Sequence, residues 1–271
     1  MEFTVNNTKI FANTGGNEFD ASKPVIILVH GAGMDHTVWG AQSRYLANQG
    51  FSVLSIDLPG HGRSGGEVPT SIDALGDFLA DLIKVSGADK AVLVGHSMGA
   101  LACLQAAAVH PDQVSGLVLC GVAAEMPVHP DLLALAEAND IRAAELIASW
   151  GHGSAAQKGG NVAHGVWMVG AAVRLLEKSP PGSLAKDLAA CDAYKIAVEQ
   201  AGKVKCPTLL LMAAEDKMSP VKVAAPLLEA IKDVEQHVIS GSGHMMMLEA
   251  PEIVRQTLRD FARGVSAKQA V

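Results

Sequence analysis

Aromatic residues make up only 4% of this 271-residue chain, with 3 Trp, 2 Tyr and 6 Phe. Its core must be filled by Ala, Val, Leu and Met, within a hydrophobic content of 49%. Charged residues are also sparse, at 18%, and that combination excludes a disordered chain. No basic cluster occurs, and acidic residues outnumber basic ones 28 to 21, for a net charge of -7. This balance argues against nucleic-acid phosphates or an anionic membrane surface as partners. The longest apolar stretch, Gly99 to Val109, is too short to span a bilayer and carries Gln105. Met1-Glu2-Phe3-Thr4 has neither the basic region nor the apolar stretch of a secretion signal. Cys103, Cys120, Cys191 and Cys206 show no paired spacing. Reduced, packed thiols and a cytoplasmic protein are the expectation.

What is present is an alternation of strand-like and helix-like segments. Glu2 to Val5 and Lys9 to Ala12 alternate like an antiparallel pair joined by Asn6-Asn7. Val25 to Val29 is continuously apolar, which suits a strand covered on both faces. Thr37 to Gln49 reads as a helix, Ser52 to Ile56 as a strand, and Ser71 to Val85 as a helix capped by Ser71. Val92 to Val94 and Val114 to Cys120 are further strands. The alternation predicts an α/β fold with a mostly parallel sheet of about eight strands. Ala123 to about Val198 breaks the pattern: it is alanine-rich, reads as helices, and shows no strand alternation. Strand periodicity resumes at Thr208. The expected organisation is a core of residues 1–122 and 199–271 with a helical insertion at 123–198, and a frayed tail after Gly264.

Gly95-His96-Ser97-Met98-Gly99 joins the apolar run Ala91 to Val94 to the helix-like Ala100 to His110. A serine in so tight a strand–turn–helix adopts a strained backbone, and glycine on both flanks removes side chains that would clash. The N–H of Met98 then heads a helix, where free donors and the helix dipole favour negative charge.

With these residues the sequence resembles an α/β-hydrolase over nearly its whole length. His30-Gly31-Ala32-Gly33 follows Val25 to Val29, as the family's oxyanion loop does. Asp57-Leu58-Pro59-Gly60-His61-Gly62-Arg63-Ser64 matches another loop of the family. Asp216 follows Thr208 to Ala213, and Gly243-His244 follows His237 to Ile239, in the family's order of Ser, Asp, His. The resemblance implies a helical cap after the sixth strand and catalytic roles for Ser97, Asp216 and His244. It assigns the oxyanion-stabilising N–H groups to Ala32 and Met98, and to Asp57 a bracing role.

Serine needs a base to take its proton, and imidazole titrates near working pH. Of ten histidines, His244 occupies the family's base position; His96 should point elsewhere and His30 should shape its loop. A carboxylate must orient that imidazole. Asp216 is the candidate, Glu215 is expected to face solvent, and Glu125 is the alternative acid after the sixth strand. His152 and His164 have a spacing that fits no helical metal-ligand pair. No metal and no cofactor is expected.

Trp150, Trp167, Met168 and Met245 are candidate pocket walls, the methionine adapting to varied apolar groups. Arg142 and Arg174 read as solvated helix faces. The expected partner is a small ester-like substrate with an apolar acyl or alcohol part, and the chain is expected to be a monomer or homodimer. The same triad also serves lactonases, peracid-forming enzymes and hydrolases of carbon–carbon bonds, and some relatives act as small-molecule receptors with slow turnover.

Overall fold

The computed structural model describes residues 1–160, 162 and 165–269; His164 lies outside them. Strands β1 (Glu2–Val5) and β2 (Thr8–Asn13) form a hairpin, followed by β3 (Val25–Val29), α1 (Gly40–Ala47), β4 (Ser52–Ile56), α2 (Ile72–Ser86), β5 (Ala91–His96), α3 (Met98–Val109) and β6 (Val114–Cys120). Then come α4 (Pro130–Glu137), α5 (Ile141–Gly151), α6 (Ser154–Gln157), α7 (Met168–Glu177), α8 (Ser183–Ala193) and α9 (Ala197–Ala201). The chain closes with β7 (Thr208–Ala213), α10 (Ala225–Ala230), β8 (Val234–Ile239), α11 (Met246–Glu249) and α12 (Pro251–Gln269). Among the described residues these strands build one eight-stranded sheet in the order β1-β2-β4-β3-β5-β6-β7-β8. Only the β1–β2 and β2–β4 pairings are antiparallel.

The continuous apolar strands are explained by what covers them. Ile27 and Val29 of β3 join the core on the side of α2 and α3. Ile26 and Leu28 join the core on the side of α1 and α12. With both faces buried, no position in the strand faces water. Helix α2 begins where Ser71 Oγ accepts from Ala74 N–H, and it buries Ile72, Leu75, Leu79, Leu82 and Ile83 along one side. Burying each such side chain is worth about 1.5–3 kcal/mol. Helix α3 is apolar all round because it is enclosed by α2, α9, β5 and β6. Its one polar side chain there, Gln105, is satisfied by Asp73 and by the Tyr194 hydroxyl.

Two sequence expectations differ from the structure. The helix expected from Thr37 starts as a 3₁₀ turn over His36–Trp39 before α1. Past Gly264, where a frayed tail is expected, α12 continues among the described residues to Gln269, with Val265 extending the buried stripe of Val254, Leu258 and Ala262. Helix α9 packs against α3 and α10. No described helix is long and apolar enough to cross a membrane.

The turn between β5 and α3 places Ser97 at φ 53° and ψ -118°. A Cβ on Gly95 would lie 2.2 Å from Gly99 O, and one on Gly99 would lie 2.5 Å from His30 O. Both contacts are with backbone, so neither can be relieved by a side-chain rotation. Gly95→Ala or Gly99→Ala should therefore cost about 3 kcal/mol or more, or prevent folding. Gly264→Ala, where an added Cβ meets nothing within 4 Å, should stabilise α12 by about 0.5–1 kcal/mol. Thermal unfolding of the three variants checks both signs.

Candidate active site

Ser97, Asp216, His244 and Ala32 each follow the carboxyl end of a strand, where the loops of a parallel sheet converge. His244 Nδ1–H donates to Asp216 Oδ2 at 2.8 Å. Asp216 Oδ1 also accepts from the N–H groups of Met218 and Ser219, and its Oδ2 from the Ser219 hydroxyl, each at 2.8 Å. Burial alone would raise the Asp216 pKa. The facing imidazole and the Ser219 donors outweigh burial and hold the carboxyl well below its usual range. An ionised carboxylate only accepts, so Nδ1 carries a proton and Nε2 is the ring nitrogen that Asp216 does not engage. Gly121, after β6, makes room for this pair: at φ 59°, a Cβ there would lie 3.0 Å from His244 Nδ1.

Ser97 and His244 line one cavity of about 230 Å³. The Ser97 hydroxyl does not cap α3. Ala32 lines the same cavity, and its N–H has no protein acceptor among the described residues. Met98 is the first residue of α3, where N–H groups have no partner inside the helix. The cavity's walls are otherwise mostly apolar, with Met126, Leu132, Ile147, Leu188 and Met218 around Trp150. Lys217 contributes its one lysine, and that ammonium has no ion pair among the described residues. A wider cleft of about 420 Å³ between β8 and α12 holds none of the candidate residues.

The pocket expectation needs correcting at three positions. Trp150 lines the cavity, but Trp167, Met168 and Met245 do not. Trp167 heads α7 with 75% of its surface exposed, its ring lying over Gly170. Met168, one residue on, is buried away from the cavity. Met245 turns into the core beside Met246 and Met247, its N–H bonded to Gly151 O. Glu125 is 65% exposed and sits 4.0 Å from Lys195, apart from His244. Glu215 accepts from the N–H and hydroxyl of Ser154. Arg142 and Arg174 pair with Asp140 and Glu177.

Some supporting residues carried no sequence signal. His96 is buried and donates Nε2–H to the His244 carbonyl at 3.0 Å, its ring 4.6 Å from that of His244. Burial pulls its pKa down to about 3, so it stays neutral. It braces the backbone of His244. Glu249 accepts from Gly243 N–H at 3.1 Å and from Gly153 N–H at 2.8 Å, tying the loop before His244 to the start of α6. The His96–His244 and Gly153–Glu249 contacts join residues distant in sequence, and no local pattern encodes them.

Among the described residues, Asp35, His36 and Asp57 form the one cluster of metal-ligating types. Asp57 already accepts from His36 N–H and Nδ1–H and from Arg63 N–H, and Asp35 accepts from Thr37 N–H. These are the bonds of a braced turn.

Comparison with known proteins agrees with this architecture. The chain is 28% identical over 258 residues to a pimeloyl-[acyl-carrier protein] methyl ester esterase of Aromatoleum aromaticum, covering 90% of this chain and 100% of that protein. It is 26% identical over 242 residues to an (E)-2-((N-methylformamido)methylene)succinate hydrolase of Acinetobacter baylyi, covering 86% and 88%. The enol-lactonase of Burkholderia xenovorans LB400 superposes with a TM-score of 0.85 at 22% identity, covering 96% of this chain and 99% of that one, a likeness of fold. The sequence profile described as the alpha/beta hydrolase family matches residues 26–257, and the chain belongs to that family.

Proposed function

We propose that this protein is a serine hydrolase that cleaves a carboxylic ester of a small, largely apolar substrate through an acyl-enzyme. The observation that carries this reading is the orientation of His244. Its Nδ1 is engaged by Asp216, and the ring borders the same cavity as Ser97. His244 Nε2 takes the Ser97 proton as the oxygen attacks the ester carbonyl. Asp216 holds the tautomer and stabilises the imidazolium that forms. Negative charge on the carbonyl oxygen is met by the N–H groups of Ala32 and Met98, each worth about 3 kcal/mol. His244 returns its proton to the departing alcohol, and then activates water to release the acid.

The lining supports the substrate class. A cavity of about 230 Å³ lies below the common range of ligand pockets, and its walls are mainly aliphatic. Helices of the segment between β6 and β7 supply Leu132, Ile147, Trp150 and Leu188, in keeping with a cap over residues 123–198. The relatives named above as a methyl ester esterase and a hydrolase fit the same reaction type.

A panel of short p-nitrophenyl esters, lactones and diketones tests the reading, with Ser97→Ala as the blank. Ester turnover is expected, falling roughly 10⁴–10⁶-fold in Ser97→Ala. Wild-type activity in that variant would overturn the proposal. Asp216→Asn should lower kcat by about 10⁴-fold, by the loss of the correct tautomer, and Glu125→Gln should leave it unchanged. Ile147→Trp, which fills the cavity, should lower kcat/KM for butyrate and longer esters about 10-fold relative to acetate, one or two methylene contacts' worth. Equal losses for all chain lengths would place the acyl group elsewhere.

A further inference from the structure

The peptide groups on either side of Ala32 are pinned separately. Because a peptide is planar, the direction of the Gly31 carbonyl fixes that of the Ala32 N–H. The Gly31 oxygen accepts from Met34 N–H at 3.2 Å and from His30 Nδ1–H at 2.8 Å. His30 Nε2 accepts from Leu58 N–H at 3.1 Å, which fixes the ring as the neutral Nδ1–H tautomer. The next peptide carries the Gly33 N–H, and its acceptor comes from far along the chain. Gly33 N–H donates to Asp187 Oδ2 at 2.8 Å.

Asp187 lies on α8, between β6 and β7, and the same oxygen accepts from His61 Nε2–H at 2.9 Å. His61 Nδ1 faces the Pro59 carbonyl at 3.0 Å. Both ring nitrogens therefore meet acceptors, an arrangement that favours the doubly protonated ring. Burial opposes that charge, but the Asp187 bond and carboxylate outweigh it and raise the His61 pKa. The side chains of His61 and Asp187 are each only 1% exposed. Packing completes the clamp: a Cβ on Gly33 would lie 2.9 Å from Leu184 Cδ1 and 3.2 Å from Leu176 Cδ2. Leu188 and Cys191, on the same stretch of α8 as Asp187, line the cavity of Ser97.

We propose that Asp187, held in place by His61, is a positioning residue for the oxyanion loop: a carboxylate delivered by α8 fixes the peptide after Ala32, so that with the Gly31 carbonyl pinned on the other side Ala32 is held from both ends and its N–H keeps its direction. This rests on Ala32 serving as an oxyanion donor. It makes the seating of α8 part of transition-state stabilisation, so the helix that shapes the pocket also sets the donor. Asp187 touches no reacting atom, and its loss is felt when charge develops on the substrate oxygen rather than on binding.

The test measures p-nitrophenyl acetate kinetics on the full chain, per site titrated with a fluorophosphonate, together with thermal midpoints. Asp187→Leu removes the acceptor while keeping the branched outline of the side chain, and leaves His61 Nε2 buried without its partner. It should lower kcat about 10²-fold with KM within about 3-fold, as loss of one oxyanion donor does. It should weaken a boronic acid transition-state analogue in the same proportion. Asp187→Asn, which keeps an acceptor for Gly33, should restore kcat to within about 5-fold of wild type. The double variant His61→Phe with Asp187→Leu replaces the ion pair by apolar groups, a change that commonly restores stability. It should regain the thermal midpoint lost in Asp187→Leu but not kcat. Wild-type kcat in Asp187→Leu, or recovery of kcat with stability in the double variant, would overturn the positioning role. If Ser97→Ala is inert in that event, the proposed reaction stands without it. A wild-type chain unreactive to both the ester panel and the fluorophosphonate would take down both.

Discussion

A serine backbone held at positive φ costs about 1–3 kcal/mol and persists only where its surroundings over-determine it. Here they do. Ser97 N–H is bound to Cys120 O at 2.9 Å, which ties the turn to the end of β6. Its own carbonyl accepts from Ala100 and Leu101, which starts α3 at once. The flanking glycines let Gly99 approach the Gly95 Cα and the ends of β3 within distances no side chain would allow. Helix α3 cannot shift to relieve the strain, because it is buried on every side. The sheet and helix core therefore act as a vice on one residue. The other candidate groups sit in loops that the same strands deliver, and Ala32 and His244 line one cavity with Ser97.

Around that fixed point, the electrostatics depend on what each histidine nitrogen faces. His244 has a carboxylate on Nδ1 and the cavity beside its ring. His61 has acceptors on both sides, and the Asp187 carboxylate raises its pKa. His30 has an acceptor on one side and a donor on the other. It is neutral, with burial pulling its pKa down to about 4. His96 donates to a carbonyl, while its Nδ1 is buried without a partner, close against Gly31. One residue type thus supplies a candidate base, a partner for Asp187 and two neutral braces. No composition argument could separate them, since the difference lies in partners up to 148 residues away.

What was legible in the sequence was what is encoded locally. Strand β6 was read as Val114 to Cys120, its observed span, because an apolar run bounded by a turn is its own signal. The Gly95-to-Gly99 turn was legible because steric exclusion dictates residue type at fixed offsets. Side-chain direction was not legible. Trp167 and Trp150 are both large aromatics in the helical stretch, yet one faces water and the other the cavity. Met245 follows His244, but at the turn into α11 it is buried in the core and is not among the residues lining the cavity. Asp187 had no signal at all: its neighbours read only as part of the alanine-rich helical stretch, and its partners lie in loops 126 and 154 residues away.

These long-range bonds constrain how the helices between β6 and β7 can move. Asp187 fastens α8 to the loop carrying Ala32. At the other side, Glu249 fastens Gly153 to the loop carrying His244, where a Cβ on Gly243 would lie 2.4 Å from Gly153 N. Asp192 holds Val128 N–H at 2.9 Å, closing the segment on itself near α4. Breaking either core anchor leaves a buried carboxylate short of a donor, which costs more than the bond contributes when made. Two long-range anchors thus hold the loops of the candidate donor and base against the same group of helices.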